Sequence, residues 1–211
     1  MRALVLFFVV LGITAFVYSE QTSKQTSDPI LFTTVWVENQ RYIVRDTSNK
    51  QQAALLLHNI TRKLGQLVRH LRQLPIYTIP ETLQPGIERL LKTYSLHGFR
   101  LSELDVSVSP TVAFNEEKGK RIYLCLRTCR HCETLAPENV VFLVALHEIA
   151  HSATEKYGEK SPQGFTDHST EFHQYETYLI NTAENLRLLK YNEAIGTSFC
   201  SLSIPDTRLH T

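Results

Sequence analysis

The amino-acid sequence predicts one α+β domain, in which strands and helices precede two helices that carry a cluster of histidines. The chain has 211 residues, of which 43% are hydrophobic, and this is enough for a single globular core. Apolar residues recur with helical spacing over residues 50–73. A second, strongly apolar helix is predicted over residues 140–154, and the order of elements lacks the alternation typical of parallel α/β proteins.

The first elements are a predicted β-hairpin and two helices. Residues 33–37 and 41–45 are rich in β-branched and aromatic side chains, and the polar segment 38–40 separates them. The helix over residues 50–73 follows the hairpin. A shorter helix is predicted over residues 86–94, in a stretch that three prolines punctuate.

Two further strands and a final helix complete the predicted fold. The strands are expected over residues 106–114 and 121–126, with Gly119 as the natural residue for the turn between them. The last helix is predicted over residues 168–191. Two polar residues are candidates for its N-cap, Thr166 and Asp167.

The amino terminus differs from the rest of the chain. Arg2 precedes an uncharged apolar run over residues 3–18, which fits either a secretory signal peptide or a signal-anchor that spans a membrane. We therefore divide the chain into a leader at 1–20, a polar linker at 21–32 and a folded domain at 33–205. The leader predicts a membrane partner and a protein that is anchored by a single pass or secreted, for example in a virion or host membrane.

Two compositional features limit the other functions that we expect. The formal net charge is +1 and no run of basic residues occurs, so we expect no direct binding of nucleic acid. The four cysteines fit a structural zinc site, disulfide bonds or free buried thiols, and a translocated domain would favour disulfides. These cysteines are Cys125, Cys129, Cys132 and Cys200.

The motif His147-Glu148-Ile149-Ala150-His151 predicts a metal site on the second apolar helix. Residues four apart share one helix face, so His147 and His151 can bind the same ion. Zinc lowers the pKa of water, and Glu148 is placed to act as general base when that water attacks a peptide carbonyl. A chance match to so short a motif is the alternative, but two imidazoles and a carboxylate would be costly in an apolar helix without a metal partner.

A catalytic zinc ion needs a third protein ligand, and the last helix offers several candidates. These candidates are His168, Glu171, His173 and Glu176. His168 follows a loop that can direct its ring back towards the motif, whereas the separation of Glu171 from His151 suits a glutamate ligand. Spacing alone leaves both residues open.

The motif, together with the segment from His168 to Phe172, resembles the HExxH…HxxxF pattern of the WLM and SprT-like metallopeptidases. The resemblance extends over residues 33–205 to the WLM-like proteins of large DNA viruses. It rests on further segments, which are Tyr42-Ile43-Val44-Arg45, Lys118-Gly119-Lys120, Leu124-Cys125-Leu126-Arg127, Asn139-Val140-Val141-Phe142, Tyr191 and Phe199-Cys200.

The resemblance implies a zincin-like α+β fold with a small antiparallel sheet and an active-site helix. It implies that His147, His151 and His168 bind Zn²⁺ and that Glu148 is the catalytic base, while Phe172 packs behind the site. The loop between His151 and His168 is longer than the linkage common in the family, and this keeps Glu171 as the alternative ligand.

These observations predict a zinc metalloendopeptidase that acts on a peptide or protein substrate. Strand 121–126 is expected to pair with an extended substrate as an edge strand. Tyr175 or Tyr178 could stabilise the oxyanion, although packing on a helix face is the favoured explanation for both. One alternative function is a non-catalytic, membrane-anchored structural or binding protein that retains a zinc site. A weaker alternative is a repair protease associated with DNA.

Overall fold

The computed structural model describes residues 30–107, 109, 111–154 and 168–204. The predicted leader at 1–20 lies outside the described residues, as do both candidate N-caps of the last helix. The long helices and strands of the domain, in chain order, are β1 (Phe32–Val37), β2 (Gln40–Arg45), α1 (Lys50–Gln73), α2 (Gln84–His97), β3 (Arg100–Glu103), β4 (Ala113–Glu116), β5 (Arg121–Leu124), α3 (Glu138–Ala153) and α4 (Thr170–Asn185). Short elements close the described chain, namely α5 (Tyr191–Ala194), β6 (Ser198–Phe199) and β7 (Leu202–Ser203).

The predicted β-hairpin is present. Strands β1 and β2 pair antiparallel, from Phe32 opposite Arg45 to Val37 opposite Gln40. The turn between them places Glu38 at φ 44° and Asn39 at φ 63°. Two successive residues with positive φ match the right-handed twist of a hairpin. The hairpin therefore needs a turn of two residues rather than the three that the sequence indicated.

The predicted helix over residues 50–73 has the same limits as α1. Its buried face includes Leu57, Ile60, Leu64 and Leu67, each with no exposed surface, and the helix contacts the hairpin and α3. The helix ends in the sequence Leu74-Pro75, where the proline disfavours a helical residue before it. One side of the core is thus formed by α1.

The second sheet has three strands in the order β3-β5-β4. Strand β5 pairs antiparallel with β4 and parallel with β3, so the sheet is mixed. The predicted strand over residues 106–114 was wrong, because β4 begins only at Ala113 and the preceding strand β3 was not predicted. The expected role of 121–126 as an edge strand was also wrong, because β5 is paired on both sides.

Gly119 is confirmed as the turn residue between β4 and β5. Its φ is +101°, a conformation that residues with a side chain rarely adopt. A Cβ atom at this position would lie 2.5 Å from the Ser152 Oγ at the end of α3. The turn can therefore approach the helix closely only because this residue is glycine.

A buried ion pair joins elements that are distant in sequence. Arg127 Nε donates to Glu103 Oε1 at 2.7 Å, and each side chain is 1% exposed. Arg127 Nη1 also donates to Asn49 Oδ1 and to the carbonyl oxygen of Glu133, both at 2.6 Å. The second carboxylate oxygen of Glu103 accepts from the backbone N–H of Arg45 at 2.8 Å. Polar groups that would be costly if unpaired are thus satisfied by one another.

The cysteines form two disulfides, Cys125–Cys200 and Cys129–Cys132. Of the three possibilities that the sequence left open for them, a zinc site, disulfide bonds or free thiols, disulfide bonds are the one present. The Cys125–Cys200 bond attaches the short hairpin of β6 and β7 to the end of β5.

The predicted membrane anchor requires a correction. A helix needs roughly 20 consecutive apolar residues to cross a bilayer. The longest described helix, α1, has 24 residues, but charged side chains such as Arg62, Lys63 and Arg69 interrupt it. In the described segments of the chain, no helix has both the length and the apolar character that a span requires. No described helix supports the predicted transmembrane anchor, membrane partner or membrane localisation, and these predictions are withdrawn; the apolar run at 3–18 that suggested them lies outside the described residues.

Candidate metal centre

The motif lies in the second half of α3, a helix that crosses the core. The helix begins after Pro137 and is lined by fully buried residues such as Val140, Phe142 and Leu146. His151 and Glu148 are 9% and 5% exposed, so the imidazole and the carboxylate lie at the inner side of the site. The side chain of His147 is 28% exposed and lies at its outer side.

Three histidines converge at one point. One nitrogen atom from each of His147, His151 and His168 lies within 4.8 Å of the other two. The Nε2 atoms of His147 and His168 are 3.0 Å apart. Two nitrogens that bind one tetrahedral zinc ion at 2.0–2.1 Å are about 3.3 Å apart. The donor atoms, all of which are imidazole nitrogens, therefore fit a divalent ion such as zinc.

His168 is supplied by the segment that leads into α4. The N-cap of α4 is Ser169, whose Oγ accepts from the backbone N–H of Phe172 at 3.2 Å. This cap begins the helix directly after His168, and it brings the ring to 4.7 Å from that of His147, measured between centroids. Phe172 has no exposed surface and lies 4.4 Å from the ring of His151. The phenyl ring thus packs behind the histidines, where the family resemblance had placed it.

Glu171, the alternative ligand, has a different partner. Its Oε1 lies 3.3 Å from Nη2 of Arg89, an arginine that also donates to the backbone oxygen of Ala153. The metal-compatible group of described residues contains His168 and does not contain Glu171. The arginine thus engages this carboxylate at the carboxyl end of α3.

Glu176 orients His147. Its Oε1 is 2.7 Å from the Nδ1 of His147, and its Oε2 is 3.4 Å from the Nδ1 of His173. The contact with Nδ1 leaves Nε2 of His147 to face the other histidines. A carboxylate in this position fixes the tautomer and the direction of a metal-binding imidazole. The sequence had suggested Glu176 and His173 only as candidate ligands.

The pKa values in the cluster follow from burial and from the charges around each group. Burial raises the pKa of Glu148 to about 7, although the positive charge of His147 opposes this effect. Burial lowers the pKa of His151 to about 3, and repulsion from His147 and His168 acts in the same direction. His151 is therefore neutral at physiological pH, which is the form that can bind a metal ion.

The pKa values of His147 and Glu176 are shifted in the directions that favour the charged form of each group. Burial disfavours both charges, but the hydrogen bond between the two side chains and the attraction between their charges, with further contributions from Glu148 and His173, together outweigh it, so the pKa of His147 is raised and that of Glu176 is lowered. The carboxylate thus makes the His147 imidazole more basic. A more basic imidazole is a stronger donor to a metal ion.

Asn115 was not anticipated by the sequence. Its Nδ2 donates to the backbone oxygen of Glu148 at 2.6 Å and to the Oγ of Ser152 at 2.9 Å. The side chain is buried and joins β4 to the helix of the motif. A lone asparagine in a short strand carries no sequence signal of this role.

The two tyrosines of α4 are placed by packing. Tyr175 is 1% exposed, and a Cβ atom on Gly86 would overlap its ring at 2.1 Å. Tyr178 is partly buried against the core. Burial raises the pKa of both phenols. The interpretation as helix packing accounts for these positions, and we do not assign an oxyanion role to either residue.

No family model matches this chain. The chain is similar to an uncharacterized protein of Acanthamoeba polyphaga mimivirus, with 29% identity over 192 residues that cover 89% of this chain and 88% of that protein. Among solved structures, Wss1 from S. pombe matches 67% of this chain and 88% of its own, with 20% identity and a TM-score of 0.42.

A Wss1 mutant from Saccharomyces cerevisiae matches 68% of this chain and 88% of its own, with 17% identity and a TM-score of 0.40. A protein of a large DNA virus is thus among those similar to this chain, as the sequence resemblance predicted. The α+β class follows from the arrangement of the helices and strands described above.

Proposed function

We propose that this chain is a zinc-dependent metallopeptidase. The observation that supports the proposal is the convergence of His147, His151 and His168 on one point, with the buried carboxylate of Glu148 on the same helix. Three histidines leave one coordination position open, as a catalytic zinc site requires. A site with a purely structural role would need neither the open position nor the carboxylate.

The proposed mechanism assigns one task to each side chain. His147, His151 and His168 hold the metal, and Glu176 keeps His147 in the correct tautomer. A bound zinc ion supplies Lewis acidity, which lowers the pKa of water and polarises a carbonyl group. Glu148 accepts the proton of the attacking water and transfers it to the leaving amine.

We assign pairing with the substrate to β4 instead of β5. In the described part of the chain β4 pairs only with β5, so its outer edge is available to an extended peptide. Asn115 ties this strand to the backbone of Glu148. A peptide that pairs with β4 would therefore lie beside the metal and the general base.

The test of this proposal is hydrolysis of a denatured protein or peptide library by the zinc-loaded chain and by a Glu148→Gln variant. General-base catalysis contributes about 10²–10⁴-fold, so we expect a loss of that size in rate. The zinc content of the two proteins should be equal, because Glu148 is not a ligand.

Full activity in the Glu148→Gln variant would overturn the mechanism. If wild-type protein cleaves nothing but loses stability when zinc is chelated, the non-catalytic alternative is correct instead.

A further inference from the structure

A cavity of about 370 Å³ opens beside the proposed catalytic residues. Its polar end is formed by His147, Glu148 and Glu176, and the remainder of its lining is mostly apolar. The floor is the preceding turn of α3, where Leu143 and Val144 lie. Its volume is roughly ten times that of one water molecule in the liquid. The cavity can therefore hold a large side chain but not a folded partner.

Two separate segments form the walls of the cavity. One wall is the start of β4, with Val112 and Ala113. The other is the β6–β7 hairpin near the end of the chain, with Phe199, Leu202 and Ile204. Phe199 has no exposed surface, whereas Leu202 is 53% exposed and lies at the rim. The hairpin thus supplies both a buried and an exposed part of the lining.

The β6–β7 hairpin is held firmly in this position. The Cys125–Cys200 disulfide attaches it to the end of β5. The backbone N–H groups of Cys200 and Ser201 also donate to the carbonyl oxygens of Arg127 and Thr128, at 2.8 and 3.0 Å. A wall that is fixed by a covalent bond and by backbone hydrogen bonds has a defined shape before any ligand binds.

The position of the cavity relative to β4 indicates what enters it. Successive side chains of an extended peptide point to opposite sides. On β4, Asn115 bonds to α3 and Ala113 lines the cavity, so both face the helix. A peptide paired with the outer edge of β4 would direct alternate side chains to this same side. One of these would enter the cavity next to Glu148.

We propose that this cavity is a side-chain subsite that selects a large apolar residue, such as Leu, Met or Phe, beside the bond that is cleaved. The β6–β7 hairpin, through Leu202 at the rim, sets this selectivity. The inference rests on the proposed peptidase function and adds the class of substrate that the site prefers. Burial of several methylene groups in a preformed apolar cavity favours such a residue over alanine by about 10–100-fold.

The test compares Leu202→Trp with the wild-type chain on paired peptides that contain Phe or Ala at each position around the cleaved bond. Leu202 is exposed, so the larger ring is tolerated while it narrows the entrance. We expect wild type to show kcat/KM about 10–100-fold higher for Phe than for Ala at one position. In Leu202→Trp this ratio should fall to near one, because the narrowed entrance lowers kcat/KM for the Phe peptide more than for the Ala peptide.

The matched control is Leu96→Trp, at a leucine that is 65% exposed and lies at the end of α2, outside the cavity. It should retain the wild-type ratio. Loss of the preference in both variants, equal losses for both peptides in Leu202→Trp, or no apolar preference in wild type would overturn the inference.

Binding separates failure of the subsite from failure of the peptidase. The same peptides are titrated into zinc-loaded Glu148→Gln protein, in which we expect Kd to be at least tenfold lower for the Phe peptide and the difference to vanish when Leu202→Trp is added. If this preference appears while wild type cleaves no peptide, the cavity recognises side chains and the peptidase proposal fails. If cleavage occurs without any preference in rate or binding, the peptidase proposal stands and the subsite is excluded.

Discussion

At the scale of single residues, Glu148 is a carboxyl group that burial keeps partly protonated. The pKa of Glu148 is about 7 in the folded chain and 4.5 in the unfolded chain. Between these pH values the folded protein therefore binds more protons than the unfolded chain does. Stability from this group is therefore lost as pH rises through the window from 4.5 to 7. His151, with a pKa of about 3 against 6.5, acts in the opposite direction between pH 3 and 6.5.

We predict that Glu148→Gln stabilises the metal-free protein at pH 8 but not at pH 5. The expected gain is on the order of 3 kcal/mol, since each pKa unit corresponds to about 1.4 kcal/mol. Urea unfolding of chelator-treated wild type and variant at the two pH values measures it. Zinc should reduce the difference, because a nearby cation favours the ionised carboxylate. A difference that does not change with pH would contradict the burial of this charge.

A second residue-scale prediction concerns the partner of His147. Glu176→Gln retains the shape of the side chain but removes the charge that makes His147 basic, so zinc affinity should fall by about 10–100-fold. Competition with a chromogenic chelator measures the affinity. The control is Glu171→Gln on the same helix, whose carboxylate pairs with Arg89 and whose loss should leave zinc binding unchanged. A larger loss in the control would instead favour Glu171 as the third ligand.

At the scale of elements, the turn after β4 is the contact that sets the distance between the sheet and α3. Gly119→Ala should destabilise the protein because the positive φ is strained and because the new Cβ meets Ser152. Gly196→Ala is the matched control, since its φ is also positive, at +73°, but no atom lies within 4 Å of a Cβ there. We expect Gly119→Ala to cost about 1–3 kcal/mol more than the control in urea unfolding. Equal costs would mean that α3 moves to accept the methyl group.

The sequence predicted the long elements better than the short ones. Helix α1 has a clear apolar period, and its limits were predicted correctly. Strand β3 has only four residues, Arg100–Glu103, and exists because β5 pairs with it across a gap of about twenty residues. Helix α4 was predicted to reach residue 191 but ends at Asn185, because Arg187 takes a positive φ of 57° without any glycine to signal it.

In the candidate site, too, the sequence predicted local features but not the contacts between elements. The spacing of His147 and His151 is a local property of a helix, and the sequence was sufficient to pair them. His168 was one of two open choices by spacing, and the family resemblance favoured it. The contacts of Glu176 and Asn115 depend on how α4 and β4 pack on α3, and no local pattern carries that information.

At the scale of the whole molecule, the buried pair of Arg127 and Glu103 joins the hairpin, α1 and the second sheet. Arg127→Met should destabilise the fold by about 3–5 kcal/mol, because it leaves the Glu103 carboxylate buried without its partner. The control is Arg121→Met, which removes an exposed pair with Glu116 and should change stability far less. The free energies of unfolding of the two variants are compared by urea unfolding in excess zinc. Similar losses in the two variants would show that the buried pair has no special role.

The hydrogen bond from Asn115 to the backbone oxygen of Glu148 affects how precisely a substrate is aligned with the proposed base. The side-chain amide of Asn115 holds β4 to the backbone of Glu148, the proposed base. The thermal motions of β4 and of Glu148 are therefore coupled. A substrate that pairs with β4 would therefore be positioned relative to Glu148 to within the roughly half an ångström that a productive geometry demands. One hydrogen bond between β4 and α3 would thus couple the position of the substrate to that of the base.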